Sequence, residues 1–179
     1  MKATGIIRKV DELGRIVIPK ELRRSLRIRE GDPLEIYTDN DGEVIFKKYS
    51  PVGEISEFAS QLCDSMYRAT NCSVAICDRD SVVSVAGIPK REIKETRISD
   101  DLRKIMSDRR PYISEGSPVV PMVSGDELNY VSAAATIISE GDIMGCVVFT
   151  GHPHSKAPTD LQLKLADTVA GFLGKQMEN

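Results

Sequence analysis

The first fifty residues place the tightest limit on how this chain can fold. Apolar residues alternate over two short runs, residues 6–10 and 15–18, on either side of the turn-forming segment DELG, a pattern typical of a β-hairpin. A module of about fifty residues in short strands buries too little surface to be stable alone, and is usually held by a disulfide, a metal or a partner chain. The segment contains no cysteine or histidine. We therefore expect an obligate dimer in which the two chains exchange strands.

The rest of this module is predicted to be one short helix and a second hairpin. Pro19 suits the first position of a helix, and the segment KELRRSLR places Leu22 and Leu26 on one face. Two strands, residues 34–38 and 43–49, flank the segment DNDG, which is a strong turn signal. The predicted order is two strands, a helix and two strands.

The segment SPVG at residues 50–53 contains proline and glycine and is typical of a domain boundary. We therefore place the two domains at residues 1–53 and 54–179. A helix is predicted over residues 54–70, where apolar residues recur with helical spacing. The other elements expected are strands at residues 73–77, 82–85, 130–138 and 143–150, a helix capped by Ser99, and a last helix opened by the capping box of Thr159 and Gln162. Because the strands come as hairpins, the second domain is α+β with an antiparallel sheet, not a doubly wound parallel sheet.

The net charge of the chain is −3, which as a total argues against binding to nucleic acid. The distribution of charge reverses this conclusion. Residues 1–29 carry nine basic and three acidic side chains, a net charge of +6, whereas the remainder carries −9. The positive charge is therefore concentrated in one short segment, as expected for a surface that contacts phosphate groups.

The sequence argues against a membrane protein, an exported protein and a metal-binding site. No uncharged apolar run reaches the ~18 residues that a membrane span needs, and charged residues interrupt the N-terminal stretch, so we expect a cytoplasmic protein that binds no membrane. His152 and His154 lie in a loop without further ligands, so no metal, cofactor or catalytic site is predicted. The four cysteines lack metal-ligand spacing and are interpreted as buried free thiols: Cys63, Cys72, Cys77 and Cys146.

Residues 4–37, TGIIRKVDELGRIVIPKELRRSLRIREGDPLEIY, closely resemble the AbrB-like transition-state regulators of spore-forming bacteria. The match extends over nearly all of residues 1–50 and includes Gly5, the DELGR turn, the IP before the helix and the LRR on it. The resemblance implies a swapped-hairpin dimer that binds double-stranded DNA and regulates the transcription of sporulation genes, as activator and repressor.

The same resemblance implies which side chains contact DNA. The basic residues that match the family pattern are Arg8, Arg15, Arg23 and Arg24, with Lys9 in a supporting role. The planar fork of arginine suits bidentate contacts to phosphate oxygens or to guanine edges. The helix is too short to show a recognition-helix pattern, so we expect the shape and flexibility of DNA to dominate specificity. Arg27 and Arg29 are not included among the predicted DNA contacts, because Glu30, Asp32 or Glu35 could pair with them.

The second domain resembles GAF-like domains, which implies a sensory role and a small-molecule effector whose identity stays open. No phosphate-binding glycine loop or nucleotide-binding signature is evident in its sequence. Its first and last helices carry apolar stripes, which include Phe58, Leu62 and Met66 on one and Leu165, Val169 and Phe172 on the other. These helices either cover only their own sheet or form a four-helix bundle with a second subunit; the bundle, which we favour, would make the assembly a tetramer.

Two other functions remain open from the sequence. The same N-terminal fold serves antitoxins, whose disordered C-terminal tails wrap a toxin, although residues 54–179 are rich in periodic apolar positions. Some GAF-like proteins are thiol-dependent enzymes, and Cys77 has a basic neighbour, Arg79, two residues further on. We favour a regulator that is not an enzyme.

Overall fold

The computed structural model describes residues 4–152 and 157–178, and the chain divides into two compact units, Met1–Tyr49 and Ser50–Asn179. His154 lies outside the described residues. The first unit contains helix α1 (Lys20–Leu26) and the antiparallel strands β1 (Leu34–Thr38) and β2 (Val44–Lys48). The second hairpin predicted from the sequence is therefore confirmed, with Ile36 opposite Phe46 at its centre.

The prediction of strands at residues 6–10 and 15–18 is wrong for the single chain. Only the turn between them forms: the amide of Asp11 donates to the carbonyl of Arg15 at 3.0 Å, and the amide of Gly14 donates to the carbonyl of Asp11 at 2.9 Å. Within residues 4–49 no third strand lies beside either segment. Ile7 and Val17 are accordingly 87% and 73% exposed, because no described residue covers them.

The second unit is built around one five-stranded antiparallel sheet. In chain order its elements are α2 (Pro51–Glu54), α3 (Ser56–Thr70), β3 (Val74–Asp78), β4 (Val82–Ala86), α4 (Lys90–Ile93), α5 (Asp100–Ser107), β5 (Tyr112–Ile113), β6 (Tyr130–Ser139), β7 (Asp142–Gly151) and α6 (Asp160–Gln176). The order of strands across the sheet is β4-β3-β7-β6-β5. The expected α+β architecture with an antiparallel sheet is confirmed.

Side chains alternate between the two faces of this sheet, and each face has its own core. On one face Ile76 and Phe149 pack with α3 and α6 through Cys63 and Leu173. On the other face Val148 belongs to a second core, and α4 and α5 contribute Ile93, Leu102 and Met106 to it. The sheet is thus the middle of three layers, and the first and last helices of the unit lie on the same face.

Both predicted helix caps form as the sequence indicates. The hydroxyl of Ser99 accepts a hydrogen bond from the amide of Leu102 at 2.9 Å, which opens α5. Thr159 and Gln162 make the full capping box that opens α6. The helix predicted over residues 54–70 is confirmed as α3, which begins at Ser56; the short helix α2 precedes it, and the chain turns at Ile55 between the two.

Candidate nucleic-acid interface

The DELGR turn is organised by the carboxylate of Asp11. One oxygen, Oδ1, accepts hydrogen bonds from the amides of Leu13 at 3.0 Å and Arg15 at 2.8 Å. The other oxygen, Oδ2, receives Nε of Arg15 at 2.8 Å. Aspartate is favoured at the start of such a turn, and Gly14 takes the left-handed conformation, with φ 76°, that closes it. Arg15 is therefore held by both its backbone and its side chain.

The side chains of Arg8 and Lys9 precede this turn and are exposed. Nη1 of Arg8 donates only to the neighbouring carbonyl of Ile7, at 3.3 Å. Within the described chain neither residue forms an ion pair, so the positive charge of both is available to an external anion.

Helix α1 carries the next two predicted contacts, Arg23 and Arg24. Pro19 precedes the first turn and is buried, and Leu22 is half-buried, which turns one side of the helix towards the rest of the unit. Arg23 and Arg24 are exposed, and no ion pair is made by either among residues 4–152 and 157–178. The helix ends at Leu26, and the next residue, Arg27, caps it in the left-handed conformation with φ 56°.

Among the described residues, neither Arg27 nor Arg29 forms an ion pair with an acidic side chain, in contrast to the pairing considered for them. The carboxylate of Asp32 instead accepts Nζ of Lys48 at 3.2 Å and the backbone amide of Arg29 at 2.9 Å. Lys48 also donates to the carbonyl of Arg27 at 3.2 Å. Asp32 and Lys48 therefore tie the segment after α1 to strand β2.

The five predicted contact residues thus lie on three segments of the first unit, all exposed. The structure brings Arg15 together with Asp11 and places Arg23 next to Arg24 on one helix; within the described chain no contact joins the side chains of Arg8 and Lys9 to these. Asp11 was not identified from the sequence as a residue of this candidate interface. The turn signal DELG marks its position, but which guanidinium its carboxylate meets depends on the geometry of the closed loop.

Apolar side chains pack between the sheet of the second unit and helices α4 and α5. Ile98, Leu102 and Met122 are fully buried there, so apolar side chains fill that space. A shallow groove lies at the end of α5 beside β5, lined by Ile105, Asp108, Arg110, Pro111 and Tyr112. Among the described residues, no cluster of three or more His, Cys, Asp or Glu side chains could hold a metal ion.

Two of the buried cysteines, Cys63 and Cys77, have thiols whose pKa is raised. Burial raises the pKa of the Cys63 thiol to about 12, and a hydrogen bond to Cys146, followed by burial, raises that of Cys77 well above its ordinary value. The thiolate, which is the nucleophile in thiol chemistry, is disfavoured at both positions. Cys72 is the partly exposed member of the four.

Comparison with known proteins assigns both units. Residues 54–178 match the family model of the stage V sporulation protein T C-terminal domain, described as a transcription factor, and residues 7–54 match that of the antidote-toxin recognition protein MazE, a bacterial antitoxin. Stage V sporulation protein T of Bacillus subtilis (strain 168) is 45% identical over 179 residues, which cover 99% of each chain. Transition state regulatory protein AbrB of the same organism is 60% identical over 63 residues, 32% of this chain and 65% of AbrB.

Solved structures show the fold of the second unit. The GAF domain of a phosphoenolpyruvate-protein phosphotransferase from Coxiella burnetii matches with a TM-score of 0.56 and 12% identity, over 69% of this chain and 82% of that one. Type II free methionine-R-sulfoxide reductase from Thermoplasma acidophilum matches with a TM-score of 0.53 and 8% identity, over 69% and 94%. At these identities the likeness concerns the fold alone.

The match to stage V sporulation protein T extends over both units. No helix in the described residues is long and apolar enough to span a membrane. The matches over residues 54–178 and over the full length show that the chain belongs to the stage V sporulation protein T family, with an AbrB-like first unit followed by a GAF-like second unit.

Proposed function

We propose that this chain is a cytoplasmic, DNA-binding regulator of sporulation genes that contacts double-stranded DNA through a dimer of its first unit. The observation that carries the proposal is the group of exposed basic side chains around the DELGR turn and on α1: Arg8, Lys9, Arg15, Arg23 and Arg24. The proposal is also supported by 45% identity, over the full length, to a sporulation protein whose family is described as transcription factors.

The dimer is supported by the surface of the first unit. Many of its large apolar side chains remain exposed in the single chain, whereas monomeric proteins rarely leave contiguous apolar patches uncovered. The exposed large apolar side chains of this unit are Ile6, Ile7, Val10, Leu13, Ile16, Val17, Leu26, Ile36, Tyr37, Val44 and Phe46. A second copy that pairs with residues 6–10 and 15–18 would cover these side chains and give the two segments the strand partners that they lack.

Arginine and lysine on such a dimer would bind DNA mainly through phosphate groups. Each neutralised phosphate releases counterions, so the affinity should fall steeply as salt rises. Because α1 has seven residues, we propose that DNA shape contributes more to specificity than a fixed set of base contacts.

For the second unit we propose small-molecule sensing and assembly. The GAF fold supports a sensory role, with an effector that remains to be identified. Phe58 of α3 and Phe172 of α6 pack on each other, with ring centroids 5.9 Å apart, yet are 37% and 44% exposed. We propose that this apolar face packs on the same face of another chain and joins dimers into tetramers, with DNA binding assigned to residues 1–53 and sensing to residues 54–179.

The antitoxin alternative is favoured by one observation, the match of residues 7–54 to the MazE model. Against it, the residues that follow fold into a five-stranded domain with two apolar cores, not into an extended tail that could wrap another protein. The thiol-enzyme alternative is disfavoured by the raised pKa values of Cys63 and Cys77.

The test is a set of single replacements in the full-length protein, Arg8→Ala, Arg15→Ala, Arg23→Ala and Arg24→Ala, with Arg91→Ala as the matched control. Arg91 is exposed on α4 of the second unit and loses the same charge. Fluorescence anisotropy with duplex DNA at several salt concentrations should show weaker binding and a salt slope smaller by about two for each of the four, because the dimer loses one phosphate contact from each subunit. Four variants that bind as tightly as Arg91→Ala would overturn the proposed interface.

A further inference from the structure

Asp11 and Arg15 form a fixed pair at the tip of the first unit. Nε of Arg15 lies 2.8 Å from Oδ2 of Asp11, while the amide of Arg15 lies 2.8 Å from Oδ1. Two backbone hydrogen bonds, between Asp11 and Arg15 and between Gly14 and Asp11, close the loop around the pair. The carboxylate thus binds the side chain of Arg15 from a position that the backbone of the turn has already fixed.

The contact uses only one edge of the guanidinium. In the described part of the chain, the two Nη groups of Arg15 have no partner, and the side chain is 69% exposed. The Nη1–Nη2 end of a guanidinium is one of the two edges that bind phosphate or guanine in a bidentate manner. Asp11 therefore leaves a binding edge of Arg15 open while it restricts the rotation of that side chain.

We propose that Asp11 is a positioning residue for DNA recognition, which holds Arg15 for a directed contact and at the same time lowers the attraction of this tip for DNA in general. The inference rests on the proposed function. Orientation favours the sequence or shape to which the open edge of Arg15 fits, because less side-chain freedom is lost on binding. The negative charge acts against every duplex equally, since all present the same phosphates.

These two effects predict a change in selectivity and not only in affinity. Removal of the charge alone strengthens binding to every duplex by the same factor. Removal of the Asp11–Arg15 contact adds a loss that falls only on the preferred duplex. The ratio of the affinities for preferred and random DNA is therefore the quantity that separates positioning from charge.

The replacement Asp11→Asn tests this with Glu12→Gln as its matched control. An asparagine keeps an Oδ1 that can accept from the amides of Leu13 and Arg15, but its amide group cannot accept Nε of Arg15. Glu12 is the adjacent residue in the same turn, is exposed and forms no hydrogen bond or ion pair with Arg15 in the described structure, so Glu12→Gln removes the same charge and leaves the pair intact. Thermal unfolding of both full-length variants checks that the fold persists, and Asp11→Ser, which also suits a turn, replaces Asp11→Asn should the latter unfold.

Binding is measured for a duplex that the wild-type protein enriches from a random pool and for a random-sequence duplex of equal length. Asp11→Asn should lower the affinity ratio by about two- to fivefold, the size of an exposed ion pair, whereas Glu12→Gln should leave the ratio unchanged. In the Arg15→Ala background Asp11→Asn should have no effect on the ratio. Equal ratios for Asp11→Asn and Glu12→Gln, or an effect that persists without Arg15, overturn the inference while DNA binding stands. A wild-type protein that binds neither duplex overturns the proposed function itself.

Discussion

Cys77 and Cys146 lie directly opposite each other on the neighbouring antiparallel strands β3 and β7, and both side chains belong to the core on the side of α4 and α5. Hydrogen bonding between the two thiols and burial together raise the pKa of Cys77. Two thiols buried in an apolar core act as small apolar side chains. They contribute to packing, and their chemistry is suppressed.

Thiol labelling should reflect this burial. With an excess of a charged aromatic disulfide reagent at pH 8, we expect Cys72 to react rapidly, since it is partly exposed, and Cys63, Cys77 and Cys146 to react only after denaturant is added. Labelling is followed by absorbance in the native and unfolded states. Rapid native labelling of Cys77 would contradict the assignment and reopen the thiol-enzyme alternative.

Alkaline pH should destabilise the second unit through Cys63. Its thiol ionises near the ordinary value of 9.0 in the unfolded chain but at about 12 in the folded one. Above pH 9 the unfolded state therefore binds fewer protons than the folded state, so the free energy of unfolding is unaffected below pH 9 and falls as pH rises towards 12. The slope from Cys63 is about 1.4 kcal/mol per pH unit. Urea unfolding at pH 8 to 11 should show a smaller slope for Cys63→Ala.

Local signals were sufficient for much of the second unit. Ser99 and Thr159 cap their helices through side chains that lie within three residues of the amides they bind, so the sequence alone defines both contacts. The two long strands β6 and β7 were also predictable, because their apolar runs are joined by a short turn that contains Gly141.

Structure that depends on distant or external partners could not be predicted in the same way. Residues 6–10 alternate as a strand does, yet a strand exists only where another strand pairs with it, and the described part of the single chain offers none. The segment between β5 and β6 is held by backbone hydrogen bonds that no local sequence pattern predicts. The amide of Met122 donates to the carbonyl of Asn129 at 2.9 Å, and the amide of Val131 donates to the carbonyl of Val120 at 2.8 Å. The ion pair between Arg15 and Asp11 could not be predicted for the same reason, since it depends on the geometry of the closed turn.

Two glycines of α6 should respond in opposite directions to alanine. A Cβ at Gly174 would lie 2.1 Å from the carbonyl oxygen of Ile138 on β6, so helix and sheet must separate, whereas a Cβ at Gly171 meets nothing within 4 Å. We expect Gly174→Ala to lower the free energy of unfolding by about 1–3 kcal/mol and Gly171→Ala to raise it by up to about 1 kcal/mol. Denaturant unfolding of both variants measures the difference, and a neutral Gly174→Ala would show that α6 packs less closely on the sheet.

The two apolar surfaces of the chain should support two separate interfaces. Val17→Asp places a charge on the exposed apolar surface of the first unit, and Phe172→Asp does so on the exposed face of α6. We expect each variant to convert the tetramer into a dimer, held by the interface that is left, and the double variant to be a monomer, because a buried unpaired charge costs more than either surface can offset. Val119→Asp, at a similarly exposed position of the second unit, is the control and should remain a tetramer.

Sedimentation velocity of the full-length proteins separates these species by mass, and DNA binding gives an independent readout. The dimer of Phe172→Asp should still bind DNA, though more weakly than the tetramer, because two linked binding modules gain from effective concentration. The dimer of Val17→Asp should lose binding almost entirely, since its first units are no longer paired. A Val17→Asp protein that stays tetrameric and binds DNA normally would exclude the exposed apolar surface of the first unit as the dimer interface.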